Sequence, residues 1–278
     1  MTMYGEIQLA VAQRDGISML VDVFVTPPFK VLTLPSPTAT ATITRWQGAL
    51  KLMQMSASPG LLAGDRVEIR VNLAQGAALD WQTQSFSRVL SMDVGQYAEQ
   101  NLVIDMATGS YLCYVPHPLV LHAGAQLRQC TRVDLSDACA LILGEVIASG
   151  RRLNDEHFAF AALSSRVQVY HRQQPILLDN IQWQPEQYAL NVLGQMEGFS
   201  HQAGLCYVNT NQDFDATPLY MALVEYLDAT QKRLGANALI GVSQPSSSLL
   251  MVRGLAHHAE VLQEILQTCT QIMKTNNV

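Results

Sequence analysis

The stretch Arg66-Val67-Glu68-Ile69-Arg70-Val71-Asn72-Leu73 alternates polar with apolar residues until Gln75-Gly76 ends it. Successive side chains of a strand point to opposite faces, so this is a half-buried strand with Val67, Ile69, Val71 and Leu73 on its core side. The same grammar recurs outward in both directions. Val21, Val23 and Val25 run up to the break at Thr26-Pro27-Pro28, and a second break, Pro35-Ser36-Pro37, precedes an alternating run at residues 38–45. Further runs cover residues 102–106, 111–115, 126–135, 140–148, 158–170 and 175–179. Between them stand turn residues at Thr108-Gly109, 116–118, Ser136-Asp137 and Ser149-Gly150. Many short strands, evenly punctuated, predict a stacked or superhelical antiparallel β body over about residues 7–210, as a sandwich or a coiled β-solenoid.

The period changes in the C-terminal part, about residues 211–278. Thr217-Pro218 reads as an N-cap followed by proline at the first helical position. Leu219, Leu223, Tyr226, Leu227 and Leu234 keep helical spacing, and Gly235 suits the helix end. Two strands at 238–242 and 249–252 flank a Pro/Ser turn. A last helix over about 256–273 carries Val261, Leu262, Ile265, Leu266, Cys269, Ile272 and Met273 as one apolar stripe. No linker divides the chain. The expectation is therefore a mainly β single domain over residues 1–278 with two C-terminal α-helices.

Composition excludes several functions. Charged residues make up 14% of the chain, against roughly 25% in an ordinary domain, which points to a surface covered by partners and to aggregation when the chain is alone. A net charge of −6 without any Lys/Arg cluster argues against nucleic-acid binding. No apolar run approaches the roughly 20 residues of a membrane span, and residues 1–10 lack the pattern of a signal peptide. Five cysteines, odd in number and without a close pair, predict reduced thiols in a cytoplasmic protein. Walker A, GxGxxG, GxSxG, HExxH and EF-hand signatures are all absent, so no common nucleotide, hydrolase or metalloprotease chemistry is signalled.

Four segments, in order, resemble the urease accessory protein family UreD/UreH. Ser58-Pro59-Gly60-Leu61-Leu62-Ala63-Gly64-Asp65-Arg66 is similar to the family's Gly-Gly-hydrophobic-x-x-Gly-Asp segment, with Pro59 for the first glycine. Trp81-Gln82-Thr83-Gln84-Ser85 resembles its Thr-Thr-Gln strand, with Gln82 for the first threonine. Tyr114-Val115-Pro116-His117-Pro118 is similar to Tyr-Leu-Pro-x-Pro. Gly144-Glu145 and then residues 150–158 resemble a glycine-arginine segment ending in Gly-Glu-x-Phe, with Asp155 where glycine is usual. Pro175-Ile176-Leu177-Leu178-Asp179 and Val252-Arg253-Gly254-Leu255 fall where the family has an apolar-Asp strand and an Arg-containing strand. The resemblance spans roughly residues 15–273, and it rests on order and spacing rather than on any one motif.

The resemblance implies a β-rich superhelical body that binds the accessory protein UreF. UreF in turn recruits the GTPase UreG, and the assembly docks on urease apoprotein. It further implies that nickel passes through an internal water-filled tunnel and that no cofactor is held tightly. Transit calls for weak, exchangeable oxygen ligands rather than a thiolate or multi-histidine cage. The candidates are Asp65, Glu145, Glu156 and Asp179. Glu145 interrupts the apolar run 141–147, where a charge must be solvated or paired; Arg151 and Arg152 are the alternative partners. Asp65 reads rather as a turn residue capping its own backbone, and Glu156 and Asp179 rather as solvated acids at loops or strand ends. His117 and Cys113 share a strand parity, His257-His258 opens the last helix, and Thr83, Gln84 and Ser85 offer polar lining. Met53 and Met55 read as core or partner surface. Two other readings stand beside the scaffold. One is an all-β carbohydrate-active protein with Glu145 and Glu156 as a carboxylate pair roughly 5–10 Å apart. The other is a purely structural adaptor.

Overall fold

A computed structural model describes residues 2–35, 46–151 and 154–276. The expected run at 38–45 and the Arg152 partner for Glu145 lie outside these residues. Strands form at β1 Tyr4–Arg14, β2 Ile17–Val25, β3 Phe29–Leu34, β4 Leu50–Ser56, β5 Arg66–Leu73, β6 Ala78–Thr83, β7 Ser87–Val89, β8 Ala98–Met106 and β9 Tyr111–Tyr114. They continue with β10 Leu119–Leu121, β11 Gln126–Leu135, β12 Ala140–Ala148, β13 Ala162–His171, β14 Gln174–Trp183, β15 His201–Asn209, β16 Ala238–Ser246 and β17 Leu249–Ala256. Helix α1 spans Thr217–Leu234 and α2 spans Ala259–Thr275.

Two sheets stack. The first has the order β14-β13-β11-β8-β5-β1-β2, and the second runs β16-β17-β15-β12-β9-β6-β4-β3 with β7 and β10 attached beside β12. The stacked β body with two helices in its C-terminal part is as expected, but the strand direction is not. β1, β5, β8, β11 and β13 pair in parallel, as do β4, β6, β9 and β12. Antiparallel pairing is confined to the flanks, for example β1 with β2 and β13 with β14. The cause is the short turns at Gly76 and Gly109, which carry the chain from one sheet into the other instead of folding it back as a hairpin. Each coil then re-enters a sheet in the same direction. Both glycines have positive φ (71° and 70°), and the turns stack through Gly76 N–H to Thr108 O and Gly109 N–H to Asp137 O.

The inward residues of the two sheets form a core that includes Ile69, Val71, Ile104, Val133, Leu141 and Leu143. The outer face of the second sheet packs against both helices. Leu219, Leu223 and Leu227 of α1 and Leu262, Ile265, Leu266, Cys269 and Met273 of α2 lie there against Ile142, Leu205 and Leu250. Lys274 fastens the end of α2: its Nζ is 2.8 Å from Asp80 Oδ2 and lies over the Trp46 ring. Thr217 is the first helical residue of α1 rather than its cap. The cap position belongs to Ala216, and Asp215 Oδ1 accepts the Thr217 N–H at 2.9 Å. Gly235 ends the helix with φ 56°, as its position in the sequence predicts. Asp155, which replaces a customary glycine, also has positive φ (56°), a conformation that aspartate tolerates better than most residues.

Candidate functional site

Between the sheets the apolar packing is not continuous. A second apolar cluster, including Ala98, Leu127, Ile147, Leu163, Ile181 and Trp183, lies at the other end of the same strands. Strand by strand, a polar residue separates the two clusters on the inward face. On β8 it is Gln100 between Ala98 and Leu102, and on β12 it is Glu145 between Leu143 and Ile147. On β13 it is Ser165 between Leu163 and Val167, and on β14 Asp179 between Leu177 and Ile181. β11 contributes both Gln129 and Thr131. Register makes this a row, because Gln100 pairs with Gln129 and Gln129 with Ser165. The row faces Glu145 from the opposite sheet.

The polar layer borders a cavity of about 110 Å³, room for several water molecules. Gln54, Thr83, Gln100, His117, Gln129, Thr131, Glu145 and Asp179 line it. Gln54, Thr83 and Gln100 also border a second hollow, together with Ser56, Ser58, Gln84, Ser85 and Arg88. Gln129 Nε2 donates to Glu145 Oε2 at 3.0 Å and to Ser165 Oγ at 2.8 Å. The backbone N–H of His117 donates to Thr83 Oγ1 at 2.8 Å, and His117 Nδ1 lies 3.1 Å from the same oxygen. Gln54 Oε1 is buried with no hydrogen-bonding partner among the described residues. An amide oxygen of this kind is an acceptor left free for water or a cation.

Glu145 lies deep in the protein yet keeps accessible surface, because its carboxyl borders the cavity. Burial pushes this carboxyl up to about 7; the nearby charge of Asp179 adds to the rise, and Arg253, Gln129 and Ser165 oppose it. Asp179 Oδ2 is 2.7 Å from Arg253 Nη2, an ion pair joining β14 of one sheet to β17 of the other. Cys206 also borders the cavity, but burial pushes its thiol up to about 12, so it stays protonated and is a poor ligand.

Of the four carboxylates the sequence singles out, Glu145 and Asp179 meet at this cavity. Asp65 does not. It is buried in its turn, where Oδ1 accepts the Met3 N–H and Oδ2 the Leu62 N–H, each at 2.8 Å. Glu156 is held by the Arg151 guanidinium, which pulls its carboxyl down to about 2, and it accepts the Ala123 N–H. Arg151 is thus engaged with Glu156 rather than with Glu145, and the Glu145–Glu156 pair of the carbohydrate reading does not share the cavity. Cys113 and His117 also part. Cys113 packs beneath the helices and His117 lines the cavity. His258 is the cap residue of α2. Among the described residues, no three His, Cys, Asp or Glu side chains gather as a metal cage. Gln54, Gln100, Gln129, Ser165 and Arg253 were not picked out from the sequence as lining residues. The signal for most of them is a polar side chain interrupting an inward apolar row.

Among the described residues the chain is a coiled two-sheet β scaffold with a carboxylate-bearing polar layer between its sheets and two helices on the outer face of the second sheet. The chain belongs to the UreD urease accessory protein family, whose model matches residues 3–277. It is similar to the urease accessory protein UreD of Actinobacillus pleuropneumoniae serotype 5b (strain L20), at 44% identity over 95% of this chain and 94% of the relative. It is also similar to UreD of Haemophilus influenzae (strain 86-028NP), at 40% identity over 94% of this chain and 95% of the relative. No helix is long and apolar enough to cross a membrane among the described residues.

Proposed function

We propose that the chain is a non-enzymatic scaffold of urease maturation, acting in the cytoplasm, that lets nickel ions travel through the polar layer between its sheets. The carrying observation is that layer itself. It is a row of amide, hydroxyl and carboxylate oxygens placed where two apolar clusters would otherwise fuse. Polar groups in such a position cost stability unless they are hydrogen-bonded, and Gln54 Oε1 has no such partner among the described residues. Oxygen donors bind a divalent ion weakly enough to exchange, and a thiol held neutral does not trap it. Glu145 and Asp179 are the charged stations of this path. Asp65 and Glu156 support its walls through the backbone and Arg151. UreF, UreG and urease apoprotein are the partners this role requires, consistent with the chain's low charge.

The test is co-expression of the chain with UreF, UreG and urease apoprotein, with and without Glu145→Leu. Pull-down, nickel content and urease activity are the readouts. The expected result is an intact complex with reduced nickel loading in the variant. A chain that captures neither UreF nor urease apoprotein, or a variant that loads nickel normally, overturns the reading.

A further inference from the structure

Glu145, Gly204 and Arg253 stand in one line across β12, β15 and β17, since Glu145 pairs with Gly204 and Gly204 with Arg253. All three have the parity that faces the first sheet, alongside Leu143, Cys206 and Met251. Gly204 leaves room in the middle of the line. A Cβ built there would lie 3.9 Å from Arg253 Nη1, so the guanidinium is draped over the bare glycine. From that position it reaches Asp179 on the opposite sheet at 2.7 Å.

The pair also marks a boundary. Asp179 and Gly204 border the inner cavity, whereas Arg253 borders a surface groove with Gln202, Gly241 and Leu255. No Lys or Arg is among the described residues lining the cavity. Arg88, at the serine-bearing mouth, is exposed and screened by water. The positive charge of Arg253 therefore stands between the inner cavity and the surface groove, bonded to Asp179 on the cavity side. The Arg253 side chain is 46% exposed and that of Asp179 24%, so the pair stands at the rim, its charge partly screened by water but fixed in place by the ion pair.

Building on the reading of the polar layer as a cation path, we propose that Arg253 is the gate of that path and sets how loosely a divalent cation is held. In the closed state Arg253 neutralises Asp179 and bars the exit. A cation arriving at Glu145 and Asp179 competes for the Asp179 carboxylate and displaces the guanidinium into the groove lined by Gln202 and Gly241. When the cation leaves, the ion pair re-forms. The built-in counter-charge keeps the two carboxylates from becoming a trap.

The experiment measures Ni²⁺ binding and release by equilibrium dialysis and stopped-flow chelation on the full chain, co-purified with UreF. Arg253→Gln is expected to bind Ni²⁺ at least tenfold more tightly and to release it more slowly. Arg253→Lys should stay near wild type, and Arg253→Gln combined with Asp179→Asn should return to weak binding. Wild-type affinity and release in Arg253→Gln overturn the gate. If Glu145→Leu still lowers nickel loading in that case, the passage itself survives; if it does not, the underlying reading fails as well. Should Arg253→Gln not fold, Asp179→Asn carries the test. Freed from its partner, the guanidinium faces Glu145 and Ni²⁺ binding falls below wild type, whereas unchanged binding overturns the proposal.

Discussion

Gln129 of the first sheet donates to Glu145 of the second across 3.0 Å, and with the longer Ser165 Oγ contact to the same oxygen, 3.5 Å, it links the two halves of the polar layer. Burial favours the protonated form of this carboxyl by more than the Gln129 bond favours the charged one, so the stability of the fold depends on pH. The Glu145 carboxyl titrates at about 7 in the fold, against 4.5 ordinarily, so ionising it is costlier in the folded than in the unfolded chain. Its stabilising contribution is complete below the ordinary value and is lost as pH rises through the folded value, by about 3 kcal/mol in all. Glu145→Gln keeps the shape and an acceptor for Gln129. It is expected to be more stable than wild type at about pH 8 by a few kcal/mol, with the advantage fading towards about pH 4.5. Thermal melts of both chains across this range check it, and a difference that does not vary with pH refutes it.

Asp65 anchors backbone rather than cargo. Asp65→Ala removes two acceptors of backbone N–H groups and is expected to cost about 2–4 kcal/mol. Urea unfolding measures the loss. Nickel transfer per folded molecule should be unchanged, which separates Asp65 from Glu145.

Gly150 stands where no side chain fits. Its φ is 155°, and a Cβ there would come within 2.4 Å of the Glu156 carbonyl oxygen. Gly150→Ala must therefore move the backbone that positions Glu156 against Arg151. The expected cost is about 2–3 kcal/mol, read as a lowered Tm. An unchanged Tm would show that the backbone at Gly150 and Glu156 is more compliant than their close approach implies.

Strand β2 closes one edge of the first sheet with Ile17, Val21, Val23 and Phe24 about half exposed and only Asp22 charged. Such an edge offers unpaired backbone and apolar side chains to any neighbour. Val21→Lys with Val23→Lys is expected to lower light scattering of the isolated chain several-fold without shifting its Tm. Equal scattering would place the aggregation surface elsewhere.

Much of the architecture was legible because alternation and turn residues are local signals. The inward face of β5, the stripe on α2 and the end of α1 at Gly235 all follow from spacing. Parallel pairing was not, since period two carries no information on whether a turn reverses the chain or moves it to another sheet. The site was half legible. Glu145 stood out because it interrupts an unbroken apolar run, and Asp179 because its strand is otherwise apolar. Gln129 and Ser165 look like ordinary strand residues until the register sets them in one row. The partner of Asp179 lies 74 positions away, and only the stacking of two sheets brings Arg253 to it.

The coiling of the chain has one more consequence, for the order of synthesis. Gln54 on β4 helps to wall the cavity, and Arg253 on β17 holds Asp179 of its lining. A ribosome delivers most of the polypeptide between them. Early coils can stack as they emerge, because each contacts only its neighbour. The conduit has no finished wall until the last strands arrive. Incomplete chains thus carry the same carboxylates without a route between them, and the capacity to convey an ion is acquired only at the final stage of folding.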